Sequence, residues 1–294
     1  MFNHPSDART NSRDMILEDF SKHNSQYAQR LLDIYGEAND LPKGWEQTSS
    51  WGIITLAGLD AFCKHLQATF AQNTAKTYAK MFRAAMNLYR DRYDFPNGYE
   101  KILALKSEAV VSTWLTDADI ETIVAYDPNT QNDALVRDQF LLGCLTGARW
   151  SDYTRFTPQN IVGGHLVYIS KKTGIRSEIP YSPAVERILR EGEFTRTLSA
   201  MTFNRVLKRI CKDCGITQQV QVHNGGETKE GEKWQFVSSH TARRSFATNL
   251  YLRCHDIFMV SRYMGHSSVD MTARYILSIG DAPEEVKQYF EQFK

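Results

Sequence analysis

No apolar run in the 294-residue sequence approaches the ~20 residues that a helix needs to cross a bilayer, so no membrane span is placed. The N-terminus, Met1 to Arg13, is polar and carries no apolar segment, which excludes the reading of a secretory signal. Cysteine is sparse: Cys63, Cys144, Cys211, Cys214 and Cys254 are odd in number and mostly sit among apolar neighbours. That pattern excludes a disulfide framework and reads as reduced thiols in a cytoplasmic protein. Internal repeats and low-complexity tracts are absent, which excludes solenoid arrays. Net charge is also small, at +1, so the chain is no overall polycation. The charge is unevenly spread, however. Between residues 171 and 213 ten Lys and Arg face five acids.

What is present describes a globular chain. Hydrophobic residues make up 42 % and charged residues 23 %, enough for a real core and inconsistent with wholesale disorder. At about 150 residues per domain the length suggests two. Residues 12–35 read as one helix, with Ile16, Phe20, Tyr27, Leu31 and Ile34 on its apolar face, and Leu41-Pro42-Lys43-Gly44 breaks it. Thr55 is placed to cap a second helix carrying Leu56, Leu59, Phe62, Cys63 and Leu66 on one face. A third begins near Asn73, with Tyr78, Met81, Phe82, Ala85, Leu88 and Tyr89 on one side and Lys76, Lys80, Arg83 and Arg90 on the other. Residues 106–113 read as a linker joining this helical module, residues 10–105, to a larger one, residues 114–294. Thr116 caps the first helix of the larger module, and a long helix spans 134–146. Two strands are expected, 165–170 and 176–180, joined by a turn at Lys172-Thr173-Gly174. Pro183 opens a further helix. Residues 223–233 read as a polar loop, and helices fill the rest. The predicted fold class is therefore mainly α, in two domains: an N-terminal helical bundle and a C-terminal, mostly α domain with a small antiparallel sheet.

Four segments carry groups suited to an anion. TGARWSDYTRF (146–156) places Arg149 after a glycine turn at the end of an apolar helix, where a planar, permanently charged fork matches phosphate oxygens. Taken alone, Arg149 reads as a structural partner of Asp152. SKKTGIRSEIPYSP (170–183) puts Lys171 and Lys172 at a hairpin turn. HTARRSFATNLY (240–251) puts His240 and Arg243 three apart on a helix that Ser238 or Ser239 would cap. MGHSSVDMTARYI (264–276) contributes His266 and Tyr275.

In this order the four segments resemble the tyrosine recombinase (phage integrase) family. TGARWSD is similar to its first-arginine box, KKTG to its lysine turn, HTARRSFAT to its His-x-x-Arg box, and GHSSVDMTARYI to its Gly-His box followed by the nucleophilic tyrosine. Residues 10–105 resemble the family's core-type DNA-binding domain, and residues 114–294 its catalytic domain. The resemblance implies that Tyr275 attacks a DNA phosphodiester to form a 3′-phosphotyrosyl link. Arg149 and Arg243 would grip the non-bridging oxygens, Lys172 would protonate the leaving 5′-oxygen, and His240 and His266 would support proton transfer. It implies neither metal nor other cofactor, since fixed cations meet the charge of the transition state. Strand exchange through a Holliday junction would take four protomers on double-stranded DNA carrying a specific recombination site, as in mobile elements. Two positions depart from the common pattern: Asp152 stands where many members have Glu, and Arg244 where many have His. Tyr263 is a rival nucleophile, but it precedes the Gly-His pair. The resemblance leaves no room for an N-terminal arm-binding domain.

Further features bear on a DNA partner. Residues 203–212 form an amphipathic stretch with Phe203, Val206, Leu207 and Ile210 against Arg205, Lys208, Arg209 and Lys212. A basic stripe at helical spacing suits phosphates and gives salt-sensitive binding. With Lys76, Lys80 and Arg83 it suggests a clamp whose contacts position rather than specify. Val286, Tyr289, Phe290 and Phe293 form a stripe that either packs on its own core or docks in a neighbouring protomer. Cys211-x-x-Cys214 with His223 is half a zinc site without its second pair, and no metal is assigned. Two other functions stand beside the recombinase: a type IB topoisomerase-like relaxing enzyme, and a non-catalytic regulator reading DNA through a helix-turn-helix at 245–266.

Overall fold

A computed structural model describes residues 16–276 apart from 25, 109, 193 and 195. The stripe at 286–293 lies outside the described residues. The chain divides into two compact units, one of residues up to Val110 with Asn224–Glu227, the other of Val111–His223 and the residues from Thr228 on.

The first unit contains helices α1 (Ile16–Asn24), α2 (Ala28–Ala38), α3 (Leu56–Thr69), α4 (Gln72–Tyr89) and the short α5 (Tyr99–Ile102). The single helix expected over 12–35 is corrected to two. Asparagine competes for backbone hydrogen bonds in a helix interior, and the polar stretch from His23 to Gln26 brings no apolar anchor to outweigh it. Thr55 caps α3 as expected, its hydroxyl accepting from the Gly58 amide at 3.0 Å. On α4 the buried face is Ala75, Tyr78, Ala79, Phe82, Ala85 and Met86, whereas Leu88 is exposed. The i, i+3, i+4, i+7 rows through Phe82 reach 75, 78, 79, 85 and 86, and leave 88 outside the stripe. The core is rich in rings: Phe20, Tyr35, Trp51, Phe62 and Phe82 are all buried. Asp19 is buried among them, and its Oδ2 accepts from Trp51 Nε1 at 3.0 Å and from the Tyr93 hydroxyl at 3.1 Å.

The second unit contains α6 (Asp117–Val124), α7 (Gln131–Thr146), α8 (Trp150–Tyr153), α9 (Pro183–Glu191), α10 (Ala200–Asp213), α11 (Lys233–Phe236), α12 (Ser239–Cys254), α13 (Ile257–Tyr263) and α14 (Val269–Ile276). Strands β1 (Ile161–Val162), β2 (His165–Ile169) and β3 (Arg176–Pro180) form one antiparallel sheet; β4 (Gln219–Asn224) and β5 (Glu227–Glu232) form another. Thr116 and Asp119 make a reciprocal capping box on α6. Asp119 also pairs with Lys233 at 2.5 Å, both nearly buried. Burial pushes the Asp119 carboxyl up, but the Lys233 ammonium and the Thr116 cap bonds together outweigh it and hold the group below its ordinary range.

The β2–β3 register pairs Leu166 with Ile179 and Tyr168 with Ser177. Leu166, Tyr168 and Ile179 consequently face the core while their neighbours face out. The loop expected at 223–233 is corrected to a hairpin. Gly225 and Gly226 both take positive φ, 67° and 82°, which is the backbone a tight two-residue hairpin turn requires. The composition hid it because the strands carry Glu, Lys and Gln, and β5 is largely exposed.

Helices α7 and α12 approach closely at Gly143, where a Cβ would come within 2.6 Å of the Tyr153 ring and 2.8 Å of Ala242 Cβ. That contact brings the C-terminal end of α7 beside the first turns of α12. Among the described residues no helix is long and apolar enough to cross a membrane.

Candidate active site

The pocket starts at the end of α7. Gly147 closes that helix in the left-handed conformation, φ 65°, which carries no steric cost for glycine. The chain then turns through Ala148 to Arg149, the residue before α8. Arg149 is half-buried, and its Nη1 donates to Ser170 Oγ at 3.3 Å. Ser170 in turn donates to Asp152 Oδ2 at 3.0 Å. Asp152 does not pair with Arg149 directly. Its other oxygen accepts from the Lys171 amide at 2.8 Å and from Arg155 at 3.2 Å. One buried carboxylate thus ties the first-arginine segment to the start of the lysine turn. Lys171 and Lys172 are exposed at that turn.

The second wall is the first half of α12. Ser238, not Ser239, is the cap, and its amide donates to Thr241 Oγ1 at 2.9 Å. Arg243 is 1 % exposed. Burying a guanidinium is tolerable only when its donors find partners, and three of them do so here. Nη1 donates to the Gly147 carbonyl at 2.5 Å, and Nη2 to the Met264 carbonyl at 2.6 Å. Nη2 also meets His266 Nε2 at 2.8 Å. A guanidinium only donates, so His266 Nε2 is the lone-pair nitrogen. Its proton is then on Nδ1, which faces Thr272 Oγ1 at 2.8 Å. Burial, then the charges of Arg243 and Arg149, push the His266 pKa down to about 4.

Tyr275, on α14, comes into the same pocket. Its hydroxyl lies 3.0 Å from His240 Nε2 and in hydrogen-bonding reach of Arg243. Its ring stacks with His266, the centroids 5.8 Å apart at 8°. His240 sits at the solvent-facing mouth but is crowded by protein. Desolvation, followed by the charges of Arg244, Arg243, Arg149 and Lys172, lowers its pKa to about 4. Lys172 is therefore close enough for its charge to act on the pocket.

Arg149, Arg243, His240, His266 and Tyr275 are thus brought together from separate segments of the chain. The arrangement suits one chemistry in particular: an anion held by two guanidinium groups, with a phenol and a neutral imidazole in contact beside it. Tyr263 is half-buried against the core of the unit. Arg205, Lys208, Arg209 and Lys212 line a shallow cleft on α10 together with Asn204 and Trp234. Lys212 Nζ lies 5.3 Å from the centre of the Trp234 ring, and Arg209 pairs with buried Asp133. On α4, Lys76 and Arg83 are half-buried and Lys80 is exposed. Cys211 is buried and its thiol is pushed up by burial, and Cys214 meets the Thr122 carbonyl. Among the described residues no group of three or more His, Cys, Asp or Glu could hold a metal ion. The sequence reading did not find Ser170, Thr272 or the carbonyls of Gly147 and Met264. Small hydroxyls and main-chain oxygens carry no signal until the fold aims them.

This pocket lies in a mainly α unit with a small antiparallel sheet. The model of the phage integrase family matches residues 113–279, and the chain belongs to that family of tyrosine recombinases. The integrase of Escherichia phage P2 is 25 % identical over 176 residues, covering 58 % of this chain and 44 % of that protein. The chain spans less than half the length of that curated relative. Among solved structures, the XerH site-specific recombinase on a palindromic difH substrate, in a post-cleavage complex, superposes with a TM-score of 0.64 at 14 % identity. That match covers 91 % of this chain and 78 % of the other. A lambda integrase tetramer bound to a Holliday junction gives a TM-score of 0.60 at 19 % identity, covering 90 % and 77 %.

Proposed function

We propose that this chain is a site-specific DNA recombinase that cuts and rejoins strands through a 3′-phosphotyrosyl intermediate. The observation that carries the reading is the meeting of Tyr275 Oη, His240 Nε2 and the buried Arg243 guanidinium in one pocket. A phenol is mostly protonated at neutral pH and is a poor nucleophile until its proton has somewhere to go. His240 Nε2, kept neutral by burial and by its cationic surroundings, accepts that proton. The oxygen then attacks phosphorus, and the bond to the 5′-oxygen breaks. Arg149 and Arg243 meet the charge that builds on the non-bridging oxygens, and His266 Nε2, accepting from Arg243, holds that guanidinium in place. Lys172, on the exposed turn, delivers a proton to the leaving 5′-oxygen. The ester keeps the free energy of the broken bond, so rejoining to a new 5′-hydroxyl uses neither ATP nor metal.

In this reading residues 10–105 form a core-type DNA-binding domain, 106–113 a linker and 114–294 the catalytic domain. Lys76, Lys80, Arg83, Arg205, Lys208, Arg209 and Lys212 lie along the duplex backbone, and four protomers assemble on two sites in the cytoplasm. The lambda integrase tetramer bound to a Holliday junction supports that assembly. A binder that only regulates has no use for a phenol set against a neutral imidazole.

The test is a nicked suicide duplex carrying the element's own ends. The purified protein should form a covalent adduct that survives denaturation and leaves a free 5′-hydroxyl, and Tyr275→Phe should form none. Adduct formation unchanged in Tyr275→Phe overturns the reading. Adduct without junction formation turns it to a relaxing enzyme of the type IB topoisomerase kind.

A further inference from the structure

One cation in the pocket has no part in the chemistry above. Arg244 follows Arg243 directly on α12, so its side chain leaves the helix about 100° further round. Two contacts fix it. Nη1 donates to the Thr113 carbonyl at 3.2 Å, and the guanidinium carbon lies 5.9 Å from the centre of the Tyr275 ring. A guanidinium is suited to both at once. Its edge presents N–H donors to a carbonyl, and its flat, weakly hydrated face lies on an aromatic ring. Burial weakens its hold on its proton, and the neighbouring Tyr275 opposes that effect.

His240, the partner of the Tyr275 hydroxyl, feels the same group. The charges facing that imidazole come from Arg243 and Arg244 on α12, from Arg149 ahead of α8 and from Lys172 on the β2–β3 turn. Tyr275 and the neutral His266 face it from α14 and from the loop before it. Of the four cations, Arg244 acts on His240 most strongly.

We propose that Arg244 is a positioning residue for the tyrosine: its guanidinium, anchored on the Thr113 carbonyl, clamps the Tyr275 ring beside α12 with the phenol turned to His240 Nε2. The inference rests on Tyr275 being the nucleophile, as proposed above. It adds two consequences. The ring is held by a permanent charge, so the docked position does not depend on pH. The same charge disfavours imidazolium at His240, so Nε2 meets the phenol as an acceptor.

The full chain carrying Arg244→Gln or Arg244→Lys tests this with two readouts. The first needs no DNA: the His240 Hε1 signal, assigned with His240→Gln, is titrated by NMR. Removing a like charge favours the protonated ring, so Arg244→Gln should raise the midpoint by about one pH unit. Arg244→Lys should leave it near that of the unaltered protein. The second is covalent adduct formation on the nicked duplex from about pH 5 to 8. Arg244→Gln should lower the plateau about two- to fivefold through loss of the cation–ring contact. It should also move the acidic limb up with the His240 midpoint. Arg244→Lys should keep the limb and lose part of the plateau. An Arg244→Gln protein that titrates and cleaves like the unaltered one overturns the proposal. If Arg244→Gln does not fold, Arg244→Lys decides: a lower plateau at an unchanged melting temperature supports the clamp, and a full plateau overturns it. If even the unaltered protein forms no adduct, the strand-cleavage reading fails instead, and the His240 titration still decides whether Arg244 acts on the tyrosine–histidine pair.

Discussion

Arg243 and the two histidines form a unit in which each fixes the state of the others. The guanidinium is buried, holds two carbonyls and points an N–H at His266. An imidazolium in that place would meet it proton to proton. Burial first, and the surrounding guanidinium charges after it, hold both histidines neutral, with pKa values of about 4 against the ordinary 6.5. The sign of the pH dependence is set by that difference. Between pH 6.5 and about 4 the unfolded chain binds protons that the folded pocket refuses, so stability falls as the pH is lowered through that window. Above 6.5 both states are neutral and the effect vanishes. Urea unfolding at pH 7 and at pH 5 measures it. His266→Gln should lose less stability between the two pH values than the unaltered protein, because one of the refused protons is gone. Equal losses would show that His266 is not held neutral.

Among the elements, the junction of α7 with Arg149 matters most. The helix has to end where it does for Arg149 to leave the core, and Gly147 ends it. A side chain at that position would sit at positive φ, and its Cβ would come within 2.4 Å of the Phe246 ring. Gly147→Ala should therefore cost about 1–3 kcal/mol from backbone strain and overpacking together. It should also displace the carbonyl that Arg243 holds. Denaturant unfolding gives the first, and adduct formation, reduced beyond what the stability loss explains, gives the second. A variant as stable and as active as the parent would deny this junction its role. The caps at Thr55 and Thr116 were readable because a hydroxyl three residues ahead of an amide is a local fact. The second hairpin was not, because its strands carry charges instead of alternating apolar residues, although the paired glycines at 225–226 were the signal to follow.

At the scale of the whole molecule, the two units have separate cores. One apolar cluster runs from Ile16 to Leu103, and the other from Leu115 to Ala242 with a small satellite around Ala247, Val260 and Met264. No residue of the first cluster contributes to the second. Residues 111–294 alone should then fold and unfold cooperatively. Loss of a cooperative calorimetric transition in that fragment would show that the first unit is needed to complete its core. The groups of the pocket, from Arg149 to Tyr275, all lie in the second unit.

The identity of the chemical groups was set by the sequence alone. Two arginines, a lysine at a turn, two histidines and a tyrosine stood in four boxes whose order pointed to the family, and helix caps and the central hairpin came from short-range rules. The state of those groups was decided only by tertiary structure. Residues 149, 243 and the pair 266 and 275 are far apart along the chain, and their protonation, hydrogen-bond partners and burial depend on how α7, α12 and α14 pack. A charge's energy is fixed by its surroundings in space, and no linear spacing encodes that. The same holds for Arg244: in sequence it is a second arginine beside a first, whereas in the fold it lies on the ring of the tyrosine.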